Sequence, residues 1–276
     1  MRLLNFGCGL AVHPDWVNID SSPVLAGVIE HDLRRGLPFP DESFDAAYGS
    51  HVLEHLEPEA GANLLRECRR VLKPQGIARI VVPDLEAIAK LYLESLAQAA
   101  AGESQAAFRY DWAMLELYDQ SVRTVSGGRV TSCLDRKLEE REAGFVEGRI
   151  GAEAMQQSHG DCAARRGPLA PRRIRSAARA LRVRAANAFA WLLLGREGAA
   201  ALREGLFRRS GEVHQHMYDR FSLKRAMALA GFAEMRSCSA GESGIPDFAR
   251  YGLEVRDGQA RKPDSLYLEG RKVRAA

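Results

Sequence analysis

The sequence predicts an α/β protein built on a doubly wound, mostly parallel sheet that carries a large helical insertion. Short apolar runs alternate with helical or turn-forming segments over residues 1–84, which is typical of parallel sheets with helices on both faces. A Gly-x-Gly turn, Gly7 and Gly9, follows the first run, and Asp20 ends the second. Glycine lets a backbone approach a ligand closely, and a carboxylate at a strand end can accept hydrogen bonds from ribose hydroxyls. The pattern therefore predicts a nucleoside site at the carboxyl edge of the sheet.

The individual elements follow from apolar periodicity. Apolar runs predict strands at residues 3–6, 16–20, 27–32, 44–50 and 77–82, with closing strands at 233–239 and 265–270. Apolar residues at helical spacing predict helices over 59–72 and 221–231. The Lys-Pro-Gln-Gly stretch at 73–76 is expected to end the first helix, and Gly231 the second.

The spacing of the glycine turn indicates which nucleoside the site would hold. A dinucleotide fingerprint needs a third small residue where this chain has Val12, and Pro14 follows at once. Asp20 comes 11 residues after Gly9, short of the roughly 20-residue spacing of that fingerprint. A ligand with a ribose and no pyrophosphate, such as S-adenosylmethionine, fits better.

A longer stretch of linked motifs strengthens this interpretation. Residues 37–56, LPFPDESFDAAYGSHVLEHL, with LLRECRRVLKPQG and IARIVVPDLE after them, resemble the core of class I S-adenosylmethionine-dependent methyltransferases of the small-molecule, methyltransferase-11-like type. The resemblance covers residues 1–84 and implies a Rossmann-like sheet and S-adenosyl-L-methionine as cofactor. The cofactor-binding residues it implies are Asn5, Gly7, Cys8, Gly9, Asp20, Asp32, Leu33 and Ser50.

The resemblance also implies a role for each part of this set. The Gly7–Gly9 turn would run along the methionine moiety, and Asp20 would bind the ribose. Asp32 with Leu33 would border the adenine, while Ser50 and the following His51 would line the methyl-transfer side.

A second motif overlaps the first and points to different chemistry. His51, Glu54 and His55 match H-x-x-E-H, a zinc-peptidase signature in which two histidines bind the metal and the glutamate is the base. Such a motif needs a long helix, whereas here it begins where a strand ends and Pro58 follows closely. A zinc hydrolase is therefore the third choice, and no metal is expected.

About 130 residues, 85–217, separate the two parts of the predicted core, 1–84 and 218–276. No helix precedes the first strand, so this insertion is expected to cover the cofactor. Within it, residues 161–210 contain twelve arginines and three acidic residues, whereas residues 1–160 contain 16 basic and 24 acidic ones. Arg175, Arg179 and Arg182 share a helical face, and an apolar patch of Phe189 and 191–194 follows.

Three alternatives for the arginine-rich block stay open. It forms a helical lid with its apolar face on the core, it lies on a membrane surface with arginines on anionic headgroups, or it clamps an anionic acceptor. Nucleic acid is disfavoured because aromatic residues make up only 7% of the chain and the rest of it is not basic.

Composition favours a reduced intracellular setting. The five cysteines are scattered and contain no Cys-x-x-Cys pair, which favours free thiols. No secretory signal and no apolar run of about 18 residues is evident. We therefore expect a cytoplasmic protein, with contact to the inner face of a membrane as the alternative.

Methyl transfer to a hydroxyl or an amine also releases a proton, for which histidine is the usual base. The candidates are His51, His55 and His214, and a mechanism that relies on positioning alone is the alternative. We expect methyl transfer to oxygen or nitrogen of a small-molecule or glycan-like acceptor. The glycan alternative comes from tail segments similar to those of relatives associated with sugar and polysaccharide biosynthesis. The rival hypothesis is a nucleoside-binding scaffold without turnover.

Overall fold

A central sheet organises the protein. The computed structural model describes residues 1–159 and 172–273, with side chains described for 1–155 and 181–273. Its strands are β1 Leu3–Phe6, β2 Trp16–Asp20, β3 Ile29–Glu30, β4 Phe44–Ser50, β5 Leu72–Pro83, β6 Ala233–Cys238, β7 Val255–Arg256, β8 Gln259–Ala260 and β9 Ser265–Arg271.

Seven of these strands form one sheet in the order β3-β2-β1-β4-β5-β9-β6. The pairs from β3 to β5 are parallel, and β9 runs antiparallel to both of its neighbours. The predicted doubly wound, mostly parallel sheet is confirmed. The chain moves outward from β1 to β3 and then returns to β4 on the other side of β1. That reversal opens a crevice at the carboxyl ends of β1 and β4, where ligands bind in such sheets.

The helices flank the sheet or follow β5. They are α1 Pro58–Val71, α2 Leu85–Ala100, α3 Ala106–Met114, α4 Gln120–Val122, α5 Gly128–Leu134, α6 Glu140–Ile150, α7 Ala152–His159, α8 Arg172–Arg208 and α9 Arg220–Leu229. Short 3-10 turns lie at Leu33–Arg35, Leu53–His55 and Phe248–Tyr251, and a π-helical turn at Leu115–Asp119. In the described chain, no helix combines the length and the apolar character needed to cross a bilayer.

Most predicted elements lie within two residues of the observed ones, with two differences. The third strand is only Ile29–Glu30, because both of its residues are exposed at the sheet edge. The fifth strand begins at Leu72, before the Lys73–Gly76 stretch that was expected to separate helix from strand. Leu72 already pairs with Phe44, and the register shifts before the next pair, so the stretch forms an irregularity inside the strand.

Apolar residues cover both faces of the sheet. On one face, Phe6 and Ile80 pack in a cluster with residues of α1 and α9, such as Leu64 and Leu223. The other face packs on the segment that follows β6, and its cluster includes Trp16, Tyr48, Val81, Phe248 and Tyr251. Helices α3, α5 and α6 have a small core of their own around Trp112, Leu134 and Val146, against which Met155 of α7 packs.

The apolar patch of the arginine-rich block does not pack on the core. α8 is interrupted at Gly195, whose φ is 68°. Its apolar patch, Phe189 and Trp191–Leu194, is 58–73% exposed, so the prediction that this face packs on the core is wrong for these residues. Residues 160–171 lie outside the described residues, as do the side chains of Arg175 and Arg179.

Candidate functional site

The turn after β1 has the backbone that its glycines predict. Gly7 and Gly9 have φ values of 63° and 51°, which L-residues with a Cβ adopt only at a cost. A Cβ on Gly7 would lie 2.2 Å from Val52 Cγ2, whereas a Cβ on Gly9 would meet nothing within 4 Å. The turn therefore packs tightly on one side and leaves open space on the other.

Asp20 is held against this turn. Its carboxylate accepts hydrogen bonds from the backbone N–H of Gly9 at 2.9 Å and of Ser22 at 2.7 Å. Each oxygen accepts one bond and keeps further acceptor capacity. The residue is half-buried at the end of β2, which is the placement expected for a carboxylate that receives a ligand's hydroxyls.

Two pockets meet at Gly7 and His51. The outer groove has a volume of about 570 Å³, and Asp20, Asp32, Leu33 and Arg209 are among the residues that line it. The inner cavity has a volume of about 310 Å³ and lies beside Asn5, Cys8, Gly9, Ser50, Glu153 and Lys262. The structure thus brings all eight predicted cofactor-binding residues to two connected pockets at the carboxyl edge of the sheet.

Two residues of this set also have structural roles, and the pKa of a third is shifted. Asn5 is buried and donates from its amide nitrogen to Ala11 O at 2.7 Å and Asn18 Oδ1 at 2.9 Å, which fixes the turn. Asp32 caps the 3-10 turn that follows it and pairs with Arg34 at 2.8 Å. The Arg34 hydrogen bond lowers the pKa of Asp32. Burial, with the nearby Asp20 charge, raises the pKa of Cys8 to about 11, so its thiol stays protonated near neutral pH.

His51 stands at the junction of the two pockets. Its backbone φ is 54°, a left-handed conformation that costs a non-glycine residue about 1 kcal/mol or more. Its Nε2 lies 2.8 Å from Ser265 Oγ, and its Nδ1 lies 3.5 Å from Glu54 Oε1. Burial lowers the pKa of His51 well below its ordinary value.

The other two candidate bases, His55 and His214, contact each other near His51. The rings of His55 and His214 contact each other edge to face, with centroids 4.7 Å apart. Glu54, which is 0% exposed, lies beside them, with Oε1 3.9 Å from His55 Nε2. Burial raises the pKa of Glu54 to about 8 and lowers those of His55 and His214 to about 4 and about 3. Residues 51–55 form a strand end and a 3-10 turn, so the long helix of a zinc-peptidase motif is not present there.

The sequence interpretation missed a charged wall of the inner cavity. Lys262 lies 3.4 Å from Ser50 Oγ, and burial lowers its pKa. Tyr48 also lines the cavity, and its hydroxyl donates a short hydrogen bond to Glu254, which is 1% exposed and lies outside the lining. Glu153 pairs with Arg261 at 2.7 Å. These residues come from distant segments, and no local motif marks them.

Comparison with known proteins gives one family match. Residues 6–80 match the family described as "Methyltransferase domain", and this segment contains Gly7, Gly9, Asp20 and His51. No curated protein matches the chain.

Solved structures give weaker likenesses. A methyltransferase from Mesorhizobium loti, described as S-adenosylmethionine dependent, is 16% identical, with 98% of this chain and 90% of that one covered and a TM-score of 0.40. The cyclase SpnF is 27% identical over 29% of this chain, with a TM-score of 0.25. A protein from Pyrococcus horikoshii is 23% identical over 32% of this chain, with a TM-score of 0.28. The chain spans 38% of the cyclase and 52% of the Pyrococcus protein.

Proposed function

Residues 6–80 match a methyltransferase domain, and from this premise we propose that the chain is a class I, S-adenosylmethionine-dependent methyltransferase that transfers a methyl group to oxygen or nitrogen of a small-molecule or glycan-like acceptor. S-adenosyl-L-methionine supplies an electrophilic methyl group when bound. The chain has to hold the cofactor, position the acceptor in line with that methyl group, and exclude water.

The residues present fit this cofactor. The open side of Gly9 leaves room for a ligand against the main chain, where a Cβ would intrude. Asp20 ends β2, Asp32 follows the neighbouring strand β3, and both line the outer groove, where they would border a ribose and an adenine. The turn from Gly7 to Gly9 then runs beside the methionine part.

The observation that carries the proposal is the junction of the two pockets. His51 and Gly7 line both the outer groove and the inner cavity, so a cofactor whose ribose and adenine lie in the groove would have its methionine part at the inner cavity, next to the acceptor. His51 is held by Ser265, and we assign it the contact with the acceptor. Lys262 and Ser50 add polar groups that would bind hydroxyls of the acceptor.

Calorimetric titration with S-adenosylhomocysteine tests the cofactor site. Asp20→Ala removes both acceptor oxygens, so we expect affinity to fall about 100-fold, equivalent to two hydrogen bonds to a charged group. Asp15→Ala is the matched control, because Asp15 has a 55% exposed side chain that pairs with Arg250 at 3.5 Å. Equal affinity in the two variants would overturn the ribose assignment.

An activity assay tests the acceptor class. It measures the release of S-adenosylhomocysteine from S-adenosylmethionine in the presence of a panel of sugars, nucleotide sugars and amines. Turnover with hydroxylated compounds supports O-methylation of a glycan-like acceptor, and turnover with amines alone supports N-methylation. Tight cofactor binding without turnover on any of them would favour the rival hypothesis of a nucleoside-binding scaffold.

We further propose that α8 contacts an anionic membrane surface. Trp191 and Leu192–Leu194 are exposed in a helix that also carries Arg182, Arg184 and Arg196. Exposed tryptophan and leucine beside arginine is the composition of interfacial helices.

Vesicle sedimentation checks this contact. We expect binding to phosphatidylglycerol vesicles, little binding to phosphatidylcholine, and loss of binding in Leu193→Ser. Leu229→Ser is the matched control, since Leu229 is 79% exposed on α9. Equal loss in the control, or no vesicle binding by the wild type, would refute the proposal.

A further inference from the structure

A group of buried polar atoms without hydrogen-bond partners lies beside the site. Among the described residues, both carboxylate oxygens of Glu54, Nδ1 of His55 and Nδ1 of His214 are buried and make no hydrogen bond. Buried polar atoms are nearly always paired, and an unpaired one costs roughly 1–3 kcal/mol. Four such atoms in three neighbouring side chains indicate a ligand that would satisfy them.

The geometry points to a metal ion. One carboxylate oxygen of Glu54 and one ring nitrogen each of His55 and His214 all lie within 4.8 Å of one another. Ligands bound to zinc at about 2.1 Å lie about 3.4 Å apart in a tetrahedral site. Side-chain rotations that shorten the distances between these three atoms by about 1–1.5 Å would therefore let all three bind one cation.

The charges also favour a cation. Glu54 is 0% exposed, the imidazoles of His51 and His55 lie within 4 Å of its carboxylate, and the charges of Lys262 and Asp264 act on it in opposite directions. Burial disfavours the charged forms of all these side chains, raising the pKa of Glu54 and lowering those of the histidines. A divalent ion would bind the carboxylate in its charged form and the imidazoles in their neutral form, which are the forms that coordinate metals.

We propose that Glu54, His55 and His214 bind a divalent transition-metal cation. Two imidazoles and one carboxylate suit zinc, manganese and iron(II) better than calcium or magnesium, which favour oxygen ligands. Glu54 is then a ligand, and His214 replaces His51 as the second histidine. This differs from the hydrolase motif that the letters H-x-x-E-H resemble.

His214 reaches this group because its segment is fastened to the 3-10 turn Leu53–His55. The carbonyl oxygen of Glu54 accepts bonds from Gln215 N at 2.7 Å and His216 N at 3.2 Å, and His214 N donates to Gln120 O at 2.9 Å. The insertion therefore supplies one ligand and the methyltransferase core two. A bound ion would link the two parts.

The site also has access to the pockets. His55 lines the outer groove, His51 lines both pockets, and their side chains are 25% and 20% exposed. Three protein ligands leave coordination positions open, as in catalytic zinc sites. This step rests on the proposed function: we infer that an open coordination position of the metal, facing His51, holds an oxygen of the acceptor.

Metal binding is tested without any activity assay. Protein freed of metal with a chelator is titrated calorimetrically with Zn²⁺ and, separately, with Mn²⁺, and its Co²⁺ form is examined by visible absorption. We expect one equivalent per chain, and Co²⁺ bands in the wild type that indicate nitrogen and oxygen ligands. Glu54→Gln and His214→Asn should weaken binding about 100-fold or more, since each removes one of three ligands.

His216→Asn is the matched control, because His216 lies two residues from His214 and packs on Tyr218 instead, with ring centroids 4.6 Å apart. Glu54→Gln keeps the volume of the side chain, so it remains informative if His214→Asn fails to fold. Absence of stoichiometric binding, unchanged binding in Glu54→Gln, or equal loss in His216→Asn would overturn the site.

Binding of S-adenosylhomocysteine to the same variants separates this inference from the proposed function. Metal binding lost with cofactor binding retained supports the site, whatever the acceptor is. Wild-type protein that binds the cofactor and no metal refutes the site and leaves the proposed function standing.

Discussion

Alanine at Gly7 should mainly lower the stability of the fold, whereas alanine at Gly9 should mainly weaken cofactor binding. The two positions share a backbone conformation and differ in their surroundings. Both residues have a positive φ, so each alanine pays about 1–2 kcal/mol of backbone strain. At Gly7 the new Cβ would also lie 2.2 Å from Val52 Cγ2, and overpacking of this kind costs about 1–3 kcal/mol. We expect Gly7→Ala to lower the free energy of unfolding by about 2–5 kcal/mol and Gly9→Ala by only about 1–2 kcal/mol.

The Gly9 variant should instead lose cofactor, because its Cβ enters the space beside the turn. Urea denaturation and calorimetry with S-adenosylhomocysteine measure the two effects separately. The double variant Gly7→Ala/Val52→Ala removes the clashing methyl group, so the coupling energy between the two substitutions should be about 1–3 kcal/mol in the stabilising direction. Equal stability of the two glycine variants, or no coupling with Val52, would refute the packing argument.

Three further changes test the core and the cavity. Arg79→Met should destabilise the fold by about 3–5 kcal/mol in urea denaturation, because it leaves its partner Glu269, which is 5% exposed, without its buried ion pair; a loss below 1 kcal/mol would contradict this. Burial raises the pKa of Asp264 to about 6, with the Glu116 charge adding to the effect, so the folded state binds its proton more tightly than the unfolded state does. The stability of the wild type relative to Asp264→Asn should then fall by about 1–3 kcal/mol between pH 4 and pH 7, and parallel pH profiles would refute this. Lys262→Met should reduce turnover with the preferred acceptor at least about tenfold and lower cofactor affinity much less than Gly9→Ala does, since Lys262 lines the inner cavity without belonging to the glycine turn; a loss of cofactor affinity equal to that of Gly9→Ala would place it in the cofactor site.

The cofactor side of the site could be predicted from the sequence because its residues follow strands directly. Gly7, Asp20 and Ser50 come at or just after the ends of β1, β2 and β4, and the carboxyl ends of parallel strands meet at one edge. Apolar runs locate such strands without knowledge of the rest of the chain. The position of each of these residues at the sheet edge could therefore be predicted from the sequence immediately around it.

The remainder of the site depends on contacts between distant segments. Tyr48 pairs with Glu254 across 206 positions of sequence, and His51 with Ser265 across 214. These contacts depend on the path of the chain after the insertion. The periodicity of apolar residues in the sequence does not determine that path. Glu54 is a further case: the letters around it fit a helix or a turn equally well, and only the folded chain shows that its carboxylate is fully buried.

The insertion contributes to both pockets, and this constrains how the site can work. Arg209 and Gln215 line the outer groove, and Glu153 lines the inner cavity. A ligand that touches these residues binds more tightly when the insertion is docked on the core than when it is not. Ligand binding and docking of the insertion are therefore thermodynamically linked, and ligand binding stabilises docking by the same free energy by which docking stabilises ligand binding. The Gln215 and His216 bonds to the Glu54 carbonyl are the contacts through which docking reaches the His51 turn. The acceptor site that we propose therefore combines His51 and Ser50, inside residues 6–80, with Glu153 of the insertion and Lys262 beyond it, so the methyltransferase motifs alone do not identify what is methylated.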